Sequence, residues 1–288
     1  MRTINSIFES EVKIPLYHYT GIGSLLGIAS KNSLWASSIS YMNDSKEIVH
    51  ACETVETVLR GRLAFGEKNE ELKFLEQLLE WTKTCSSVAY TMFVFSLSEK
   101  PNLLSQWRSY TPHGKGVSLG FSANKVNEIA RISDMKIARC IYEKAEQEEI
   151  IGVLIEKLLV NFRQQLPTID ITKQHPTECY YEFIRQYTSD IFQVLAILKH
   201  SAFREECEWR LISTNIPKFR DTRLKFREGA SMLIPYIELP LGSKPYFNQI
   251  ILGPSQHQNL NMSGLSMFMS NQGISPQLTN CDIPYREW

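Results

Sequence analysis

The fold of this chain is decided by a short alternating stretch, Leu16-Tyr17-His18-Tyr19-Thr20. Apolar and polar positions alternate with a period of two, which is typical of a half-buried strand. Tyr17 and Tyr19 fall on one face, and Leu16, His18 and Thr20 fall on the other. A glycine-rich turn follows, so His18 is well placed for a cleft. On these five residues alone, a histidine that satisfies a hydrogen bond inside a core is the simpler interpretation.

The composition is that of a folded, globular protein. The 288 residues are 43% hydrophobic and 11% aromatic, which is enough apolar material for a large core. Lys+Arg and Asp+Glu both number 31, so no overall basic field indicates a nucleic acid partner. We predict a single elaborated domain over residues 1–288.

The cysteines and the first residues indicate a cytoplasmic protein. Six cysteines occur without a Cys-x-x-Cys pair, which argues against a disulfide framework or a structural zinc site. Residues 1–15 carry charges among their apolar positions, so they lack the hydrophobic core of a signal peptide. No apolar stretch reaches the ~18 residues that a membrane span needs. The expectation is a protein of the reducing cytosol, without membrane contact and without a bound metal.

Periodicity predicts an α+β fold with a mixed, largely antiparallel sheet and a helical cover. A long apolar run at 88–97 predicts a central strand buried on both faces. Further strands are expected near 34–36, 116–121, 136–142, 205–212, 224–227, 232–239 and 249–253. Two long amphipathic helices between 143 and 199 are interpreted as an insertion that covers the sheet, or as a surface for a homo-oligomer or a partner protein.

Two short motifs have both a structural and a functional interpretation. Asp44 followed three residues later by Glu47 fits a capping box at the start of a helix, which gives both a structural role. Ser96 and Ser98 end the predicted central strand on one face, which suits a polar ligand. The two serines could equally bond their own backbone.

A charged strand face is predicted at 205–212. Glu206, Glu208 and Arg210 stand together, opposite an apolar face. Neighbouring carboxylates raise one another's pKa and a guanidinium lowers it, so the pair could be tuned to bind a ribose hydroxyl or to transfer a proton. The alternative is an exposed face with a surface ion pair worth ~0 to 1 kcal/mol. Spacing alone leaves both interpretations open.

An ordered set of motifs resembles the bacterial domain-of-unknown-function family 2971. The resemblance extends from about Leu16 to the C-terminal Ile283-Pro284-Tyr285-Arg286, and that family name implies no activity. The motifs are Leu16-Tyr17-His18-Tyr19-Thr20, Tyr41-Met42-Asn43-Asp44 with Glu47, Phe95-Ser96-Leu97-Ser98-Glu99, Gln106-Trp107-Arg108-Ser109-Tyr110, Gly116-Val117-Ser118-Leu119-Gly120-Phe121, Glu206-Cys207-Glu208-Trp209-Arg210 and Ile251-Leu252-Gly253-Pro254.

A more distant similarity is to ADP-ribosyltransferases. These enzymes bring a histidine or arginine, a Ser-x-Ser or tyrosine element and a later glutamate around NAD, and His18, Ser96-Leu97-Ser98 and Glu206-Cys207-Glu208 occur here in that order. The resemblance implies that His18 holds the adenosine-side ribose and that the serines brace the binding strand. It also implies that Glu208 stabilises the oxocarbenium-like transition state, with Glu206 beside it.

Three functional hypotheses follow. The first is an NAD-using ADP-ribosyltransferase or glycohydrolase, with NAD as co-substrate, an unknown macromolecular acceptor and, by analogy, a toxin-like or antiphage defence role. The second is a metal-assisted nuclease, for which no metal-ligand spacing is found. The third is a nucleotide-binding sensor module without catalysis. The nuclease would use His18, His113, Asp44 and Glu208; the cofactor or nucleotide contacts would include Thr20, Arg108, Lys115 and Arg210.

Overall fold

The computed structural model describes residues 3–9, 11–42, 47–66, 69–85, 92–166, 176–215, 220–229, 231–244 and 246–284. Its helices are α1 (Ile4–Phe8), α2 (Ile22–Lys31), α3 (Glu47–Ala64), α4 (Glu70–Cys85), α5 (Leu104–Tyr110), α6 (Ala123–Ile132), α7 (Lys144–Gln165), α8 (Pro176–Gln186), α9 (Thr188–Leu195) and α10 (Gln258–Asn271). Short 3-10 helices occupy Ile39–Tyr41 and Ser201–Glu206. Within these ranges no helix combines the length and the apolar character needed to cross a membrane.

The strands form one open sheet. They are β1 (Leu16–Gly21), β2 (Ser33–Ser38), β3 (Phe93–Ser98), β4 (Gly116–Phe121), β5 (Met135–Arg139), β6 (Glu208–Ser213), β7 (Lys225–Glu228), β8 (Leu233–Pro240), β9 (Gln249–Leu252) and β10 (Gln277–Asn280). All pairings between these strands are antiparallel except that of β9 with β10. The predicted α+β fold with a largely antiparallel sheet is therefore confirmed.

The sheet forks along one edge of β3. Near its start, β3 pairs with β2, and at Ser98 it pairs with Tyr17 of β1. In the described part of the chain, no strand pairs with residues 95–97 on this edge, while β6 pairs with residues 94–98 on the opposite edge. Two wings consequently diverge from β3: one is β2-β8-β7 and the other is β1-β4-β9-β10.

Each face of the sheet has its own core. On one face, α3, α4, α7, α8 and α9 pack together and bury sheet residues such as Val94 and Ile212. On the other, α2, α6 and α10 cover a second cluster that includes Leu16, Phe95 and Leu211. Helices α7 to α9 lie within the predicted 143–199 stretch. Most of their apolar residues are buried in the first core, which accounts for their amphipathic pattern, while Val160 and Tyr181 are exposed.

Three predicted strands differ from the observed strands by three residues or more at one end. The strand predicted at 136–142 is observed as β5, which ends at Arg139. The strand predicted at 88–97 is observed at 93–98, and its residues 88–91 lie outside the described ranges. The strand predicted at 205–212 begins only at Glu208, because the 3-10 helix continues to Glu206 and Cys207 adopts a left-handed conformation with φ 44°. Glu206 and Glu208 therefore approach the same space from two different elements.

Candidate functional site

A cavity of about 350 Å³ lies where the sheet forks. The two wings, β3, β6 and the helical layer all contribute to its wall. Several of its lining side chains are aromatic, which gives flat apolar surfaces, and its other lining side chains include serines and charged groups. The aromatic residues are Tyr17, Tyr19, Trp35, Tyr41, Phe95 and Tyr110.

Five charged side chains form a buried network along this cavity. Glu47 begins α3, Lys199 follows α9, Glu206 ends the 3-10 helix, and Glu208 and Arg210 belong to β6. Each residue is at most 7% exposed. Buried charges are stable only when they are paired and hydrogen-bonded, so the contacts within the network determine its properties.

Lys199 joins the three carboxylates. Its Nζ lies 2.5 Å from Glu206 Oε2, 2.5 Å from Glu208 Oε2 and 3.3 Å from Glu47 Oε1. Both Oε2 atoms contact the same nitrogen, so the two carboxylates lie within about 5 Å of each other. Burial lowers the pKa of Lys199, but Glu208 and the other carboxylates outweigh it and raise the pKa above its ordinary value.

Arg210 holds Glu208 and Glu47 on its other side. Its Nε donates to Glu208 Oε1 at 2.7 Å, its Nη2 donates to Glu47 Oε2 at 2.8 Å, and its Nη1 donates to the Ala196 carbonyl at 2.8 Å. Burial raises the pKa of Glu208, but Arg210 and Lys199 outweigh it and lower that pKa to about 2. Glu208 is therefore ionised at neutral pH, and both of its oxygens are hydrogen-bonded within the network.

Glu206 has the opposite electrostatic character. Burial raises its pKa, and the contact with Lys199 offsets the increase only in part. Its Oε1 accepts a 3.0 Å hydrogen bond from the Tyr110 hydroxyl, which also lines the cavity. Of the two adjacent carboxyl groups, Glu206 is the one that can exchange a proton, because Glu208 is held ionised.

His18 lies at the fork itself. Its Nδ1 is 3.0 Å from the Ser96 carbonyl, which can only accept, so Nδ1 carries the hydrogen. Its ring contacts Phe95 with 4.4 Å between centroids. Burial lowers the pKa of His18 to about 4, so the ring is neutral at neutral pH. Strand alternation puts His18 on the face opposite Tyr17 and Ser98, and it borders the cavity only because the wings diverge here.

The two predicted serines face the charge network. Ser96 pairs directly with Arg210 and Ser98 with Glu208 across β3 and β6. The Ser98 hydroxyl donates to the Glu206 carbonyl at 2.6 Å and accepts from the Lys100 amide at 2.9 Å, so it fixes the turn before β6. The Ser96 Oγ is buried and has no hydrogen-bond partner among the described residues.

Thr20 and Arg108 are not among the residues that line the cavity. Thr20 follows His18 on the same face of β1, and Arg108 is exposed on α5. For the nuclease hypothesis, His113 is exposed and also absent from the lining, and Asp44 lies outside the described residues. Within the ranges that the structure describes, no group of three or more His, Cys, Asp or Glu side chains could hold a metal ion.

The sequence-based interpretation missed three residues of the network and its surroundings. The sequence predicts a capping box for Asp44 and Glu47; Asp44 lies outside the described residues, and the Glu47 carboxylate pairs with Arg210 and Lys199. Lys199 follows a continuous buried run at 191–198, and a lysine after such a run is a signal for a buried ion pair. Tyr110 gave no comparable signal. The exposed-face interpretation of Glu206, Glu208 and Arg210 is wrong, because all three are buried.

A family model matches part of the chain. Residues 106–211 match the model of the family described as "Protein of unknown function (DUF2971)". No curated protein and no solved structure matches the chain. The matched segment begins in α5 and ends in β6, so it supplies Tyr110, Lys199, Glu206, Glu208 and Arg210 of the site. Over this segment, the chain is similar to the DUF2971 family.

Proposed function

We propose that the cavity binds NAD or a closely related nucleotide and that the chain cleaves its glycosidic bond, passing the ADP-ribosyl group to water or to an acceptor. The observation that carries this proposal is the pair of buried carboxylates, Glu206 and Glu208, within about 5 Å of each other and with opposite pKa shifts. Paired carboxyl groups with divergent pKa values are the usual apparatus for glycosidic chemistry.

In the proposed reaction, the bond between the nicotinamide nitrogen and ribose C1′ breaks. Its electron pair leaves with the nicotinamide, which thereby loses its ring charge. The positive charge that develops on the ribose is stabilised by the carboxylates of the network. Water or an acceptor hydroxyl forms the new bond to C1′, and its proton passes to Glu206. A raised pKa makes the ionised form of Glu206 a stronger base.

The size of the cavity limits how much of the ligand it encloses. About 350 Å³ is at the lower end of the range for small-molecule pockets. A dinucleotide is larger than this cavity, so the proposal puts the nicotinamide and its ribose inside and the adenosine half at the mouth. Tyr17, Trp35 and Tyr41 offer the flat surfaces on which a ring can stack.

Nicotinamide release from NAD tests the proposal. Glu206→Gln keeps the shape of the side chain and removes the base, so we expect a loss of about 10²- to 10⁴-fold in turnover. Glu205→Gln is the matched control, because Glu205 is the adjacent glutamate and is exposed. Equal turnover by Glu206→Gln and the control would contradict the role of Glu206 as the base. The absence of NAD turnover by the wild type, with cell lysate present, would contradict the catalytic proposal as a whole.

A nucleotide-binding module without catalysis is the second candidate. It is favoured by the complete pairing of Glu208, whose oxygens are occupied by Arg210 and Lys199. Under this hypothesis NAD or ADP-ribose raises the melting temperature and no nicotinamide appears. A defence or toxin role belongs only to the catalytic proposal, and it predicts that wild-type expression depletes cellular NAD whereas Glu206→Gln expression does not.

A further inference from the structure

Three basic side chains of the described residues line the cavity: Lys199, Arg210 and Arg227. Lys199 and Arg210 are neutralised by the buried carboxylates. Arg227 is different, because no carboxylate of the described residues lies within ion-pair distance of it. Its hydrogen bond is a long one of 3.4 Å, from Nη2 to the Ser37 hydroxyl. Among the residues that the structure describes, Arg227 is thus a half-buried cation without a carboxylate partner.

Strand register directs Arg227 toward the cavity. On β7 it pairs with Ile234 of β8, and Ser37 of β2 pairs with Tyr236 two residues further along β8. Arg227, Ser37 and Tyr236 consequently share one face of the β2-β8-β7 wing. On the same face, Trp35 contacts Tyr236 with 4.6 Å between ring centroids. This wing thus combines a guanidinium with an aromatic wall.

The opposite part of the cavity has the opposite charge balance. Glu47, Glu206 and Glu208 outnumber Lys199 and Arg210 by one, so the network repels an anion when all five groups are charged. An anionic group of a ligand is attracted to the Arg227 wing instead. A guanidinium presents a planar set of donors that matches a phosphate with two parallel hydrogen bonds.

We propose that Arg227 binds a phosphate group of the nucleotide in this cavity and thereby selects phosphorylated ligands over nucleosides. This inference rests on the proposed function for the identity of the nucleotide. Of the basic nucleotide contacts expected from the sequence, Arg210 is neutralised, and Arg108 and Lys115 do not line the cavity, so none of them is proposed as the phosphate contact. The ligand then spans from the Arg227 wing to the carboxylate network.

The test compares ligands with and without phosphate. Binding of ADP-ribose and of adenosine is measured by calorimetry with the wild type, Arg227→Gln and Arg227→Lys. We expect Arg227→Gln to weaken ADP-ribose binding by about 10-fold or more and to leave adenosine binding unchanged. Arg227→Lys keeps the charge without the planar donor set, so it should recover part of the loss.

Arg223→Gln is the matched control, because Arg223 is exposed and paired with Asp221; circular dichroism verifies that each variant is folded. The inference is overturned if Arg227→Gln binds ADP-ribose as tightly as the wild type does. It is also overturned if the wild-type protein binds no phosphorylated ligand. Phosphate-dependent binding without NAD turnover would support Arg227 and contradict the catalytic proposal. The two failures are therefore distinguishable.

Discussion

The Tyr110 hydroxyl donates a 3.0 Å hydrogen bond to Glu206 Oε1, while Lys199 holds the other oxygen of the same carboxyl group. The two contacts differ in kind, since one partner is a neutral phenol and the other a cation. Burial raises the pKa of Tyr110 as well, so the phenol remains protonated and acts only as a donor. Glu206 thus has one partner that can be removed without leaving an unpaired buried charge.

Tyr110→Phe should raise the pKa of Glu206 further. The phenol favours the ionised carboxylate, so its removal favours the protonated form. The upward shift is measured by carbon NMR titration of labelled glutamate side chains, and the acidic limb of the pH–rate profile should move the same way. A stability loss of about 1 kcal/mol is expected for the lost hydrogen bond. An unchanged or lowered Glu206 pKa would contradict the assigned contact.

Glu208→Gln should destabilise the fold more than Glu206→Gln does. Removal of the Glu208 charge leaves Arg210 and Lys199 buried with fewer counter-charges, which costs about 3–5 kcal/mol. Urea unfolding of the two variants and of Glu205→Gln measures the difference. Glu208 therefore has a structural role in addition to the transition-state role that the resemblance to ADP-ribosyltransferases implies. Equal stability of the two buried variants would show that Glu208 is not the structural anchor.

His18 should make stability depend on pH between about 6.5 and 4. Burial lowers the pKa of His18 from 6.5 to about 4 in the folded state. The unfolded chain therefore binds the proton first, so this contribution is complete above pH 6.5 and is lost as the pH falls toward 4. The loss is about 3 kcal/mol over that window.

Urea unfolding at a series of pH values measures this contribution. His18→Asn keeps a side-chain donor for the Ser96 carbonyl and removes the titrating ring, so its stability should depend less on pH in this window. His113→Asn is the control, because His113 is an exposed histidine. Parallel curves for the wild type and His18→Asn would exclude a depressed His18 pKa.

Thiol labelling should distinguish Cys207 from the buried cysteines. Cys207 is half-buried, whereas Cys52, Cys85 and Cys140 are buried. The Cys52 sulfur lies 2.9 Å from the Cys85 sulfur, and this contact together with burial raises the pKa of Cys52. Burial also raises the pKa of Cys140. A maleimide reagent followed by peptide mass mapping should modify Cys207 first in the native protein. Early modification of Cys52 would contradict the packing of α3 against α4.

The alternating pattern of residues 16–20 was sufficient to predict β1 and its two faces, because a strand repeats every two residues. The pattern could not place His18 relative to Glu208, because the fork depends on which strands pair with β3. The sequence predicted Glu206 and Glu208 as a pair. It could not predict that both are buried, because their burial depends on α3 and on Lys199. The role of Glu47 in the network could not be predicted for the same reason, because its partner Arg210 is 163 residues away, whereas the capping-box interpretation uses only neighbouring residues.

The contact between Glu47 and Arg210 also affects the order in which the chain can mature during synthesis. Helix α3 is synthesised long before Lys199 and β6. The Glu47 carboxylate therefore stays solvated until Lys199 and Arg210, its ion-pair partners, have been synthesised. The central strand β3 likewise lacks its β6 neighbour until then. The charge network is therefore completed as one of the late events of folding, and a chain interrupted before residue 210 lacks the arginine that pairs with Glu47 and Glu208.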